Sequence, residues 1–227
     1  MSNVVDGLSR ARAQLAEATA RAGRAPGSVR LIAVSKLQPS AAIRAAYEAG
    51  QRDFGENYVQ ELQQKATELA DLSELRWHMI GHLQRNKARV VAPLVAMLHT
   101  VHSVELAQEL DKRAHGLEVL IEVNVGGEAQ KSGCAPEALP EILHALSEAK
   151  HLVVRGLMCV PPHTDDPSGA RPYFDELARL RDLHGGAQRL PELSMGMTAD
   201  LEYAVAAGAT MVRVGTAIFG ARPKASG

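Results

Sequence analysis

Cysteine is almost absent from this chain: Cys134 and Cys159 are the whole complement among 227 residues. Two thiols are too few for a disulfide framework, and no paired cysteine spacing suggests a zinc site. Also missing is an apolar run long enough to cross a bilayer, so no membrane partner is expected. Charge of one sign is not in excess, since 25 basic residues stand against 26 acidic ones. That balance argues against a strongly basic surface, and no nucleic acid is expected as a partner. Aromatics are scarce, yet alanine is plentiful and 46% hydrophobic residues are ample for a sizeable core. No linker, low-complexity stretch or charge run divides the chain, which reads as one domain over 1–227. Near the start, Val4, Leu8, Ala11, Leu15, Ala18 and Ala22 fall on one side of a helix, with Asp6, Arg10, Glu17 and Arg21 on the other. This is an amphipathic helix and not a signal peptide, so the expectation is a soluble, cytoplasmic protein.

What the sequence does contain is a repeated alternation of short apolar runs and amphipathic helices. The first run, Val29 to Lys36, has the length and flanks of a strand buried on both faces, yet it closes on a lysine. Further runs follow at Asp53–Glu56, Trp77–Gly81, Met97–Val101, Leu117–Val125, Val153–Val160, Leu193–Met195 and Met211–Gly215. Between them lie helices marked by Ser40 as an N-cap and Gly50 as a stop, by the stripe Tyr58, Leu62, Ala66 and Leu69, by a halt near Pro93, and by Ser103 as a cap. The later helices carry Leu139, Ile142, Leu143 and Leu146 with Pro140 in the first turn, then Tyr173, Leu177, Leu180 and His184, then a segment opening at Thr198-Ala199-Asp200. Eight strands alternating with helices predict an α/β fold, a single (β/α)8 TIM barrel with an extra N-terminal helix. A doubly wound open sheet is the alternative; no GxGxxG follows the first strand, and a count of eight favours closure.

In such a barrel the loops after the strands form the functional face. Lys36 ends strand one and Asn57 follows strand two. Burial lowers a lysine's pKa and leaves an amine able to condense with an aldehyde, unless the ammonium simply reaches water at the sheet's edge. Ser194, Thr198, Gly215 and Thr216 offer hydroxyls and backbone N–H groups after strands seven and eight, where phosphate sites recur in this fold; the glycines equally suit tight turns. Arg213 lies inside an apolar run, so it should point into the site or meet a buried carboxylate such as Glu122.

The motifs LIAVSK, FGENYVQEL, WHMIGHLQRNK, VHSVE, EVNVGGEAQKSG, GLMCVPP and LSMGMT…VRVGTAIFGAR, in this order, resemble the pyridoxal phosphate homeostasis proteins, barrels similar to the N-terminal domain of alanine racemase. The resemblance covers essentially the whole chain. It implies pyridoxal 5′-phosphate (PLP) held as a Schiff base on Lys36, its phosphate near Ser194, Thr198, Gly215 and Thr216, its pyridine nitrogen facing Arg213, and Asn57 near the ring. Family members often carry Ser where this chain has Thr198, and the hydroxyl survives. An arginine beside the ring nitrogen disfavours protonation there and weakens the cofactor as an electron sink. A racemase of this fold also needs an acid–base group from a partner chain and a further β domain, which is expected to be missing because the chain ends at Ala221 to Gly227. The expectation is therefore a monomeric carrier that buffers PLP and passes it to apo-enzymes, with no catalytic residue assigned. A slow PLP-dependent racemase, transaminase or lyase is the competing reading.

Other residues are weaker candidates. Lys131 is a rival aldehyde-binding lysine in a solvated loop, His78 and His82 are four apart without accompanying carboxylates, and no metal site is expected. Cys159 reads as a small core residue, and Ser194 lacks a His-Asp partnership for hydrolysis. Lys87 and Arg89 read as a solvated helix face.

Overall fold

The computed structural model describes residues 2–220. The segment 221–227, where the sequence reading places the end of the fold, lies outside the described residues. Eight parallel strands close into a barrel in strict sequence order: β1 (Arg30–Val34), β2 (Asp53–Glu56), β3 (Arg76–Met79), β4 (Met97–Val101), β5 (Leu117–Glu122), β6 (Leu152–Met158), β7 (Glu192–Ser194) and β8 (Met211–Val214). Closure is made by β1 on β8, with Arg30 opposite Met211 and Ala33 opposite Val214. That pairing excludes the open doubly wound sheet. The helices are α1 (Ser2–Arg21), α2 (Ser40–Glu48), α3 (Val59–Glu68), α4 (Ala88–Val91), α5 (Val104–Asp111), α6 (Leu139–Ser147), α7 (Arg171–Leu183), α8 (Gly186–Arg189), α9 (Leu201–Ala206) and α10 (Thr216–Phe219).

The longer strands, such as β1, β5 and β6, are mostly apolar because both their faces are covered, one by helices and one by the barrel interior. The outer core joins the sheet to amphipathic helices such as α1, which buries Leu8, Ala11, Leu15 and Ala18, and α7, which buries Phe174, Leu177 and Leu180. Inside the barrel a small plug of Ile32, Met97, Leu120, Met158 and Met211 fills the waist. Flexible methionines suit this irregular space, which in many barrels takes branched residues. α1 packs on α9 and α10. A Cβ at Gly7 would sit 2.4 Å from the Ile218 carbonyl oxygen, so only glycine lets the two helices approach this closely.

The helices differ from the predicted ones in three places. Ser40 is the first helical residue, not the cap; Pro39 holds the cap position with φ −70° and ψ 152°, and the Ser40 hydroxyl bonds Glu68 instead. Tyr58 precedes α3 and is 49% exposed, since the chain is still extended there. In α7 the core position goes to Phe174, fully buried, and the neighbouring Tyr173 is only half-buried. Ser103 does cap α5, accepting from the Leu106 N–H at 3.2 Å, and Pro140 lies in the first turn of α6.

Candidate functional site

A cavity of about 400 Å³ opens at the C-terminal ends of the strands. Lys36, Asn57, Thr198, Arg213, Gly215 and Thr216 share its wall with apolar Val34, Ile80, Val160 and Met197. Six of the seven expected site residues are thus brought together. The seventh, Ser194, ends β7 one level lower: it is fully buried, and its Oγ accepts from Arg213 Nη1 at 2.7 Å.

The backbone that carries Lys36 is clamped on both sides. Ser35 donates its N–H to the Gly55 carbonyl at 2.9 Å and its hydroxyl to Glu56 Oε1 at 2.7 Å. Leu37 donates its N–H to Glu61 Oε2 at 2.7 Å. Lys65, buried on α3, spends its three ammonium hydrogens on Ser35 O, Glu56 Oε1 and Glu61 Oε2, each at 2.8 Å. A buried ion cluster of this kind is stable only when every donor is used, as here. Burial nevertheless pushes the Glu56 carboxyl above its ordinary range, against the pull of Lys65 and Ser35. Leu37 itself has φ 60°, the one positive value outside glycine among the described residues. Such a conformation costs about 1–2 kcal/mol and persists because the surrounding hydrogen bonds dictate it.

On β8, the strand paired with β1, Arg213 is buried and donates from Nη2 to the Cys159 carbonyl at 2.8 Å. Burial lowers its pKa, opposed by Cys159, Glu122 and Asp200, yet a guanidinium remains charged. Among the described residues no carboxylate lies within ion-pairing distance of it, Glu122 included. The Cys159 thiol is pushed up to about 12 by burial, which leaves its carbonyl as the chemically useful group. Asn57 is set by Gly81, where a Cβ would fall 2.2 Å from the Asn57 carbonyl oxygen. Its side-chain Oδ1 is buried without a hydrogen-bond partner among the described residues. The loop bearing Thr198 is tied down by Asp200, whose Oδ1 accepts the Met197 N–H at 2.6 Å.

The rival residues are engaged elsewhere. Lys131 pairs with Glu128 at 2.5 Å and donates to the Pro161 carbonyl at 2.9 Å. His78 and His82 do not converge: His78 is buried against Asp53 and His99, and His82 is exposed and stacks on His102 with ring centroids 4.6 Å apart. Two groups escaped the sequence reading, the Lys65 cluster and the pair His78–His99. Both left a signal, since Lys65 lies on the apolar stripe of α3 and His99 lies inside a strand that is buried throughout.

A family model described as "Alanine racemase, N-terminal domain" matches residues 8–223. The pyridoxal phosphate homeostasis protein of Pseudomonas aeruginosa is 47% identical over 98% of this chain and 97% of that protein. Among solved structures, an unknown protein from Bifidobacterium adolescentis is 40% identical with a TM-score of 0.90, covering 96% of this chain and 95% of that one. PipY of Synechococcus elongatus, solved with PLP bound, is 41% identical with a TM-score of 0.77, covering 91% of this chain and 100% of PipY. With a lysine at the end of β1, an arginine inside β8 and homology along nearly its full length, the chain belongs to the pyridoxal phosphate homeostasis proteins, a family of alanine racemase-type barrels.

Proposed function

We propose that this chain binds PLP, linked to Lys36 as a Schiff base, and acts as a cytoplasmic carrier that buffers the cofactor and delivers it to apo-enzymes. The observation that carries the reading is the cavity itself, which sets Lys36, Asn57 with its Oδ1 unpartnered among the described residues, the Arg213 cation, Thr198 and Thr216 around one space. About 400 Å³ falls within the range of small-molecule sites, about 300–1,000 Å³. The donor set matches the ligand group by group: an amine for the aldehyde, hydroxyls and the backbone N–H groups of Gly215 and Thr216 for the phosphate, and Asn57 toward the ring. PLP supplies electron-sink chemistry when its ring nitrogen is protonated. Arg213, a cation with no carboxylate in contact among the described residues, opposes that proton, and the clamp on Ser35 and Leu37 holds the backbone that carries Lys36 in place. Both features favour storage over turnover.

The test is the visible absorption spectrum of purified protein, then borohydride reduction and peptide mapping. A yellow protein labelled on Lys36, with Lys36→Ala colourless, is expected. Failure to take up PLP, or a label on Lys131, overturns the assignment. Incubation with a panel of amino acids separates carriage from catalysis: turnover that vanishes in Lys36→Ala overturns the carrier reading. Restoration of an apo-enzyme by loaded protein, at a rate above that set by free PLP, tests delivery. Sedimentation as a single chain tests the proposed monomer.

A further inference from the structure

A line of polar side chains crosses the barrel interior below the cavity, and only Arg213 has so far been given a role. Arg76, at the start of β3, grips Asp53 through Nε at 2.9 Å and Nη2 at 2.7 Å. Asp53 Oδ1 lies 3.0 Å from His78 Nε2, and His78 Nδ1 lies 3.0 Å from His99 Nε2. His99 Nδ1 then lies 2.9 Å from Ser194 Oγ, which accepts from Arg213. His78, His99 and Ser194 are essentially inaccessible to solvent.

Chemistry at the two ends, together with burial that keeps both imidazoles neutral, fixes every hydrogen between them. An ionised carboxylate only accepts, and a guanidinium only donates. Asp53 is ionised, because hydrogen bonds from His78 and Arg76 outweigh burial and hold its pKa below the ordinary value. His78 therefore carries a hydrogen on Nε2 and, kept neutral by burial, accepts at Nδ1. The donor to that Nδ1 is the Nε2–H of His99, so His99 also accepts at Nδ1. Its donor is the Ser194 hydroxyl, whose oxygen in turn takes a hydrogen from Arg213. One hydrogen per link, all directed at Asp53, requires two neutral imidazoles. Burial favours that state, lowering His78 and bringing His99 well below its ordinary value. The charges facing them are Asp53, Arg76 and Arg30 around His78, and Arg213 and Arg30 around His99.

We infer that His99 and His78 are positioning residues for Arg213: anchored on Asp53, they turn the Ser194 hydroxyl hydrogen away from the guanidinium and aim the cation at the cavity without neutralising it. A carboxylate placed directly on Arg213 would orient it equally well and cancel its charge. The relay transmits the orienting effect of Asp53 through four hydrogen bonds and leaves the compensating charge with Arg76 at the far end. The role toward a ligand rests on the PLP reading, whereas the order of hydrogens does not.

The first experiment uses the apo-protein labelled with ¹⁵N-histidine. Long-range ¹H–¹⁵N spectra should show His78 and His99 as Nε2–H tautomers that stay neutral from about pH 5.5 to 8, although free histidine titrates near 6.5. An Nδ1–H tautomer at either residue, or a charged His99 in that range, overturns the inference. The second loads PLP labelled at its ring nitrogen. His99→Leu should move the ring ¹⁵N shift toward the protonated form and weaken PLP binding by about tenfold, the loss of one buried hydrogen bond. His99→Gln, with an acceptor and a donor on one side chain, should recover most of both. Wild-type shift and affinity in a folded His99→Leu overturn the positioning role; should that variant not fold, Ser194→Ala, which removes only the hydroxyl, replaces it. A wild-type protein that takes up no PLP overturns the functional reading and this role with it, and the apo spectrum still judges the order of hydrogens separately.

Discussion

Glu122, at the end of β5, is expected to make the apo-protein less stable as the pH rises. Its carboxyl is buried, its Oε2 has no hydrogen-bond partner among the described residues, and burial pushes its pKa up to about 7 despite the opposing field of Arg213. The unfolded chain releases this proton near 4.5, the folded chain near 7, so between those values the folded state binds more protons. Stability then falls as the pH rises through the window, the reverse of the behaviour of a salt-bridged carboxylate. A displacement from 4.5 to about 7, at about 1.4 kcal/mol per decade, corresponds to about 3 kcal/mol. Glu122→Gln keeps the shape and has nothing to ionise. In urea unfolding of the apo-proteins, variant and wild type should agree at about pH 4.5, and the variant should lead by about 2–3 kcal/mol at about pH 8. A gap that is constant with pH, or one in which wild type gains as the pH rises, refutes the reasoning. The second result would mean that ionised Glu122 finds Arg213 at contact distance.

Lys65→Met leaves Glu56 and Glu61 without their cation and should cost about 3–5 kcal/mol in urea unfolding at neutral pH; because burial raises the Glu56 pKa, the deficit should shrink as acid neutralises that carboxyl. Gly81→Ala drives a methyl into the backbone of Asn57, 2.2 Å from its carbonyl oxygen, and should cost about 1–3 kcal/mol together with PLP affinity in a fluorescence titration. Phe174→Ala, at a fully buried position of α7 that is not part of the cavity wall, should cost about 3–5 kcal/mol and leave PLP affinity unchanged once folded.

The strands were legible because burial on both faces writes itself as mostly apolar runs, as in Leu117–Glu122 and Met211–Val214. Lys36 and Arg213 were legible for the complementary reason: a charge closing or interrupting such a run needs a destination. Depth was not legible. Ser194 and Thr198 read alike, as hydroxyls near the end of strand seven, and only the register of β7 against its neighbours puts Ser194 below the floor and Thr198 on the wall. The relay was silent because its members come from β2, β3, β4, β7 and β8, and no local spacing records which side chains of different strands meet inside a barrel. Lys65 could have been read from its place on the apolar stripe with Leu62 and Leu69, but a lysine there passes easily for one whose stem lies on the core with its head in water.

The seam between β1 and β8 joins Arg30 to Met211, partners 181 positions apart, and α1 rests on α9 and α10. On the ribosome the first strand therefore emerges long before its closing neighbour exists. At about 5–20 residues per second the wait is on the order of 10–40 s. Throughout it β1 presents an open edge of unpaired backbone groups, and α1 keeps an uncovered apolar face. Closure of the barrel thus waits until β8 has been made. The vulnerability of this protein to aggregation should follow the speed of its translation and the chaperones waiting at the tunnel exit more closely than it follows the stability of the finished fold.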